Sequence, residues 1–300
     1  MTMTMTRTPT TVAAEAGTSS ATAPAAARPG LDERRAALDD RLRALPSLIV
    51  AYSGGVDSAF LAWAATRLLG PRALCVTAES ASYPERHRAM ALAIARDFGL
   101  RHEMVATGEL ERPEYRANAP DRCYHCKHEL YTRLTAIARE RGIAVVADGS
   151  NADDRGDYRP GRGAAREFGV ISPLDEAGLS KDDIRALSHE AGLPTWDEPA
   201  SACLSSRIPY FSEVTDEKLR AIEQAEDAVR ALGFRVVRVR HHDQVARLEL
   251  GVEEMARAID PDTAAAITRA VTAAGFRFVA LDLKGYRLGS LNEGVRLRPV

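Results

Sequence analysis

Short apolar runs alternate with longer amphipathic stretches through the first two thirds of the chain. "SLIVAY" (47–52), "ALCVTA" (73–78), "HEMVAT" (102–107) and "IAVVAD" (143–148) have the length and apolar content of buried strands. Between them the spacing predicts helices near 58–69, 84–98 and 120–141. Ahead of them, "LDERRAALDDRLRAL" (31–45) sets Leu31, Leu38, Leu42 and Leu45 on one helical face. Strands joined by helices predict βαβ units, and so a parallel sheet covered on both faces. The stretch 149–164, "GSNADDRGDYRPGRGA", reads as a loop because it is polar and rich in Gly and Pro. A helix follows at 180–192, with Ser180 and Asp183 at capping-box spacing. Residues 193–211 then form a long irregular stretch, and such loops inside a compact domain usually carry function.

From residue 213 the texture changes. A helix (214–232) leads to strands at 234–243 and 245–250, a helix near 261–274 and a strand at 276–283. This is the pattern of a small α+β domain. The expected organisation is a disordered tail (1–30), an α/β domain (31–211) and an α+β substrate or oligomerisation domain (212–300). The first thirty residues mix Thr, Ala, Ser and Pro without the apolar segment of a secretory signal.

Composition narrows the function classes. The formal net charge of -2 across 300 residues gives no basic field to recruit nucleic acid. No apolar run approaches the roughly 20 residues that a bilayer requires. A cytoplasmic location is expected, so the four cysteines should be reduced thiols or metal ligands. A homo-oligomer is the expected assembly.

The candidate chemistry begins where the first strand ends. "IVAYSGGVDS" (49–58) places Ser53, Gly54, Gly55, Asp57 and Ser58 between a strand and a helix N-terminus. Converging backbone N–H groups and the helix dipole make that junction an anion site. Gly54 and Gly55 let a ligand approach the backbone, and the two serine hydroxyls add hydrogen bonds. Neither the Walker A pattern nor G-x-G-x-x-G is present. "SGGVDS" resembles the PP-loop of the N-type ATP pyrophosphatases, the adenine nucleotide alpha hydrolase-like fold. That resemblance implies a loop holding the pyrophosphate of ATP with Mg²⁺ while a substrate oxygen attacks the α-phosphate. It also implies that Asp57 serves Mg²⁺ or catalytic geometry and that Ser80, in "TAESASY", contacts the nucleotide.

Cys123 and Cys126, in "PDRCYHCKHELY" (120–131), lie three apart on a predicted helix and so share a face. A lone C-x₂-C leaves three readings open: chance packing, half of a zinc site with His125 or His128 as a further ligand, or a redox pair. Cys203 sits in the long loop, and Cys75, within an apolar strand, reads as core.

Together "DRCYHCK", "DYRPGR", "PASACLSSRIPY", "ALGF", "VRVRHHD" and "ALDLKGYR" resemble the ATP-dependent sulfur transferases of the LarE family, from about residue 35 to about residue 292. The resemblance implies adenylation of the carboxylates of pyridinium-3,5-biscarboxylic acid mononucleotide, followed by sulfur delivery to each activated carbonyl. The product is the thiocarboxylate pincer that later holds nickel in lactate racemase. Members that sacrifice a cysteine sulfur carry that cysteine one position earlier, where this chain has Ala202, and lack the C-x₂-C pair. The three-cysteine members bind a [4Fe–4S] cluster, which implies Cys123, Cys126 and Cys203 as its ligands here, with Cys203 catalytic.

Arg238 and Arg240, two apart on a strand, point to one face, and spacing alone favours a solvated charged surface. The resemblance reverses that reading. A substrate with a phosphate and two carboxylates needs guanidinium forks. Ser206, Arg207, Arg238 and Arg240 are then the substrate-binding set, with Glu226 and Glu249 orienting the arginines; His241 and His242 receive no role. Two competing functions share the loop: a tRNA thiolase, which should carry a basic face, and a non-catalytic nucleotide- and cluster-binding module.

Overall fold

The computed structural model of the protein describes residues 30–156, 160–199, 203–287 and 290. The expected tail up to residue 29, Ala202 and part of the "DYRPGR" segment lie outside the described residues. The chain runs α1 (Leu31–Arg43), β1 (Leu48–Ala51), α2 (Val56–Leu69), β2 (Ala73–Glu79), α3 (Glu85–Asp97), β3 (His102–Ala106), α4 (Pro113–Arg116), α5 (Arg122–Arg141) and β4 (Val145–Ala147). It continues through α6 (Gly161–Glu167), α7 (Pro173–Glu176), α8 (Lys181–Glu190), α9 (Asp216–Ala231), β5 (Val237–His242), β6 (Val245–Leu250), α10 (Met255–Ala258), α11 (Pro261–Ala273) and β7 (Phe278–Leu281).

The first four strands form one parallel sheet in the order β3-β2-β1-β4. All of β1 is buried, as a central strand covered on both faces must be. Alternate residues feed opposite layers. Leu48 and Val50 face α1, α2 and α8, whereas Ile49 and Ala51 face α5 and α6. The crossover from β1 runs to β2 on one side, while β4 lies on the other, so the sheet's switch point falls between β1 and β4. Ligands of open parallel sheets bind at the carboxyl ends of such strands.

Two expectations meet the structure differently. The capping box of α8 forms as its spacing predicts, with the Ser180 hydroxyl accepting from the Asp183 amide. The stretch 149–164, by contrast, is not all loop: Gly161–Glu167 is helical. Its small residues let α6 lie directly on α5. A Cβ at Gly161 would stand 2.9 Å from Lys127 Cγ, and Ala164 and Ala165 are buried. Composition alone misread a close-packed helix as a loop.

The second sheet, β5-β6-β7, pairs β5 with β6 antiparallel and β6 with β7 parallel. Its core combines α9 and α11 with Tyr115, Leu204 and Ile208 from the preceding part of the chain. The C-terminal unit therefore rests on α4 and on the Leu204–Arg207 turn, beside Cys126.

Candidate active site

The loop after β1 is folded from within. Gly54 has φ +68°, and a Cβ there would lie 2.8 Å from the Cβ of Ala91 on α3, so backbone sign and space both require glycine. Ser58 is buried; its hydroxyl donates to the Gly55 carbonyl (3.1 Å), accepts from the Ser53 amide (3.1 Å) and lies 3.1 Å from Ser53 Oγ. Ser58 thus shapes the loop. Gly55, the N-cap of α2, offers no side chain to occupy the first-turn amides, which leaves them for an anion.

Asp57 stands in the first turn of α2. Its carboxylate accepts from Lys181 Nζ and from Asn151 Nδ2 (3.3 Å). Asn151 follows β4 and Lys181 opens α8, so three segments converge where the sheet changes direction. The approach is close: a Cβ at Gly149 would lie 3.0 Å from the Ser58 amide nitrogen. A hard carboxylate at a helix N-terminus, beside a lysine, suits Mg²⁺ and phosphate oxygens. Ser80, past β2, lies 3.1 Å from Ser82 Oγ, whose hydroxyl donates to the buried Glu109 at 3.1 Å.

Cys123 and Cys126 lie in the first turns of α5, and Cys203 begins the turn Leu204–Arg207 with its sulfur 2.9 Å from Ser205 Oγ. The three thiols feel one another. Burial pushes Cys126 up, with Glu109, Cys203 and Cys123 adding to the rise. Burial raises Cys123 too, partly opposed by Arg122 and reinforced by Cys203. Cys123 nonetheless reaches solvent. Cys75 stands apart within β2, fully buried and pushed up to about 12 by that burial. Among the described residues, no group of three or more His, Cys, Asp or Glu side chains is arranged to hold a single metal ion.

The arginines are buried, contrary to what spacing alone favours. Arg207 is 1% exposed and grips Glu226 with a fork, Nε to Oε1 at 2.8 Å and Nη2 to Oε2 at 3.1 Å. Arg230 adds a third contact to that carboxylate at 2.6 Å. Arg240 donates to Glu249 (2.7 Å), the Ser206 carbonyl (2.9 Å) and Ser290 Oγ (2.9 Å). Arg238 lies over the Tyr286 ring, 5.1 Å from its centroid. Burial, then Arg207, push the Arg238 guanidinium down to about 10, against the pull of Glu226. His87, near the start of α3, is driven down to about 4 by burial and then by Arg86, Arg207, Arg230 and Arg238. Arg207, Arg230 and Arg238 thus gather round the single carboxylate of Glu226, which leaves this cluster with an excess of positive charge.

Removal of Arg207 leaves much of the Glu226 charge buried. Arg207→Ala is expected to cost about 3–5 kcal/mol, lowering the melting temperature by roughly 10 °C in circular dichroism melts. The sign of the pH dependence follows from Glu226. Burial would raise its carboxyl, but Arg207, Arg230 and Arg238 more than offset this and hold it at about 2, below its ordinary 4.5. Its contribution is therefore present above about pH 4.5 and lost as pH falls toward 2.

Sequence reading missed several residues here: Lys181, Asn151, Asn118, Arg122, Tyr115 and Ser205. Lys181 carried a usable signal, since only four lysines occur among 40 basic residues and one opens a capped helix. The others act through contacts distant in sequence.

A glycine loop at the switch point of a parallel sheet, facing an acidic residue at a helix N-terminus, defines a PP-loop ATP pyrophosphatase domain. Residues 32–153 match the asparagine synthase family model, in keeping with that class. The chain is 44% identical over 249 residues to the uncharacterized protein slr1717 of Synechocystis sp., covering 83% of this chain and 93% of that protein. It is 36% identical over 264 residues to the pyridinium-3,5-bisthiocarboxylic acid mononucleotide synthase of Lactiplantibacillus plantarum, covering 88% of this chain and 95% of that protein. A tRNA(Ile)-lysidine synthase of Bradyrhizobium sp. is 30% identical over 196 residues, but only 51% of that protein is covered. The chain belongs to the LarE family of ATP-dependent sulfurtransferases. No described helix is long and apolar enough to cross a membrane.

Proposed function

We propose that this protein adenylates the two carboxylates of pyridinium-3,5-biscarboxylic acid mononucleotide and converts each to a thiocarboxylate. The observation that carries the reading is the cluster of Arg207, Arg230 and Arg238 near His87 of α3, the helix whose residue Ala91 packs against the PP-loop. A small acid bearing a phosphate and two carboxylates suits such a cluster far better than a neutral substrate does.

In the first half-reaction a carboxylate oxygen attacks the α-phosphorus of ATP. The bond to the bridging oxygen breaks, and pyrophosphate leaves from the PP-loop. The α2 amides and Lys181 stabilise the charge gathering on the leaving group, and Asp57 is the residue suited to hold Mg²⁺. In the second half-reaction an anionic sulfur attacks the acyl carbon, the bond to AMP breaks, and AMP departs with the electron pair. Cys123, Cys126 and Cys203 are the candidate ligands of a [4Fe–4S] cluster, which when bound supplies an open iron able to carry sulfide. In this reading these thiols hold the sulfur source, and the arginines hold the substrate's anionic groups. Assembly as a homo-oligomer belongs to the same proposal and is checked by analytical ultracentrifugation.

Arg238→Ala should weaken binding of the mononucleotide roughly ten- to a hundredfold, about 1.5–3 kcal/mol, while ATP affinity stays within about twofold. Titration calorimetry with each ligand separates the two. Arg240, tied to Glu249 and Ser290, should act more on stability than on affinity. The function as a whole is tested by anaerobic incubation with Mg·ATP, sulfide and the biscarboxylate mononucleotide. Mass spectrometry should find the thiocarboxylate product with AMP and pyrophosphate, and ATP turnover without any thiolated product would overturn the reading.

A further inference from the structure

Tyr83 holds the PP-loop from outside the loop itself. Its hydroxyl donates to the Ser53 carbonyl at 3.0 Å, across 30 residues of chain. On its other side Ser53 is held as well, its amide donating to Ser58 Oγ at 3.1 Å. The Ser53 carbonyl and the Gly54 amide belong to one peptide plane, and among the described residues every peptide bond is trans. In a trans peptide the N–H points opposite to the C=O. A phenol that fixes the Ser53 carbonyl therefore fixes the Gly54 N–H too, aimed away from the ring. Among the described residues, nothing accepts a hydrogen bond from that amide. It stands ready for an anion, beside the first-turn amides of α2.

The backbone alone does not choose this direction. Gly54 has φ +68°, and glycine populates positive and negative φ about equally. The choice falls to whatever holds the Ser53 carbonyl. Tyr83 suits that role because its own position is fixed at several points. Its amide donates to the Ser80 carbonyl at 3.0 Å, closing the turn after β2, and Pro84, next in the chain, is the N-cap of α3. Ser82 is buried; its hydroxyl donates to the buried Glu109 at 3.1 Å, and its carbonyl accepts from the Leu204 amide at 2.9 Å. Farther along α3, the Ala91 carbonyl accepts from Tyr52 OH at 3.0 Å, and the same residue packs against Gly54. Turn and helix together back the loop.

We infer that Tyr83 is a positioning residue for the phosphate chain of ATP, holding the Ser53–Gly54 peptide in the orientation that offers its N–H to pyrophosphate. It touches no reacting atom and acts only through the loop. The inference rests on the nucleotide half of the proposed function and is independent of the sulfur source.

The test compares full-length wild type with Tyr83→Phe, which removes one oxygen and keeps the ring; circular dichroism checks the fold. Titration calorimetry follows magnesium pyrophosphate, Mg·ATP and AMP, the last carrying the nucleoside without a pyrophosphate. Affinity for pyrophosphate and ATP should fall roughly three- to tenfold, the scale of one neutral hydrogen bond, while AMP affinity stays within about twofold. A merely structural role would weaken all three ligands together or none of them. Equal pyrophosphate and ATP affinities in wild type and Tyr83→Phe would overturn the inference, as would a matching loss of AMP affinity. Wild type that binds neither pyrophosphate nor ATP would refute the nucleotide reading and this inference with it, whereas binding that Tyr83→Phe leaves unchanged refutes this inference alone.

Discussion

Asp57→Asn is expected to reduce adenylation at least a thousandfold while leaving the protein folded. The substitution keeps size and hydrogen-bonding capacity but removes the only charge that α2 presents in its first turn. That charge sits where β1, β4 and α8 converge, held by Asn151 and Lys181. In the proposed function, neutralising it removes the hard oxygen donor for Mg²⁺ at the point where pyrophosphate leaves. A thousandfold loss corresponds to about 4 kcal/mol of transition-state stabilisation, the scale of one preorganised electrostatic contact at a reacting group. Stability should change little, because Asp57 is partly exposed and supports no apolar packing. AMP formation and pyrophosphate exchange give the rate, and the melting temperature gives the control. Release of AMP near the wild-type rate would remove Asp57 from the mechanism.

The second large effect concerns sulfur. Cys203→Ala should abolish thiocarboxylate formation, by more than a thousandfold, yet spare ATP–pyrophosphate exchange, since the thiol lies outside the PP-loop. Cys123→Ala and Cys126→Ala should behave likewise if the three thiols act as one ligand set. Cys75→Ala serves as the contrast. Its thiol is fully buried in β2, so its loss should cost roughly 1–2 kcal/mol of stability while iron content after reconstitution is unchanged. Iron and acid-labile sulfide assays, run beside product mass spectrometry, distinguish the outcomes. A colourless protein that binds no iron and loses one sulfur from Cys203 per turnover would sink the cluster and favour a sacrificial cysteine.

The two effects are separable because different parts of the fold carry them. In the proposed function, adenylation is assigned to the switch point of the parallel sheet. Sulfur delivery is assigned there to the seam between α5 and the turn at Leu204–Arg207, on which the C-terminal core also rests. A substitution at either place should therefore leave the other half-reaction measurable.

Much of this was written in local order. The apolar spacing of residues 47–52 and 73–78 marked two central strands, because a strand buried on both faces must be apolar throughout. Ser180 and Asp183 announced the start of α8, since a capping box closes within four residues. Cys123 and Cys126 share a face because three residues make nearly one helical turn, and the Ser-Gly-Gly pattern marked the turn between β1 and α2, where Gly54 takes a φ of +68°. Other features depended on which distant segments became neighbours. Lys181 reaches Asp57 across 124 residues, and Arg122 meets Ser205 across 83. The same folding turned Arg238 and Arg240 from an apparent surface stripe into buried cations, and made a helix of Gly161–Glu167 because α5 offered a surface that only small residues fit. Periodicity reports which face of an element is apolar; charge pairing across a sheet's switch point is set by topology, which no local pattern encodes.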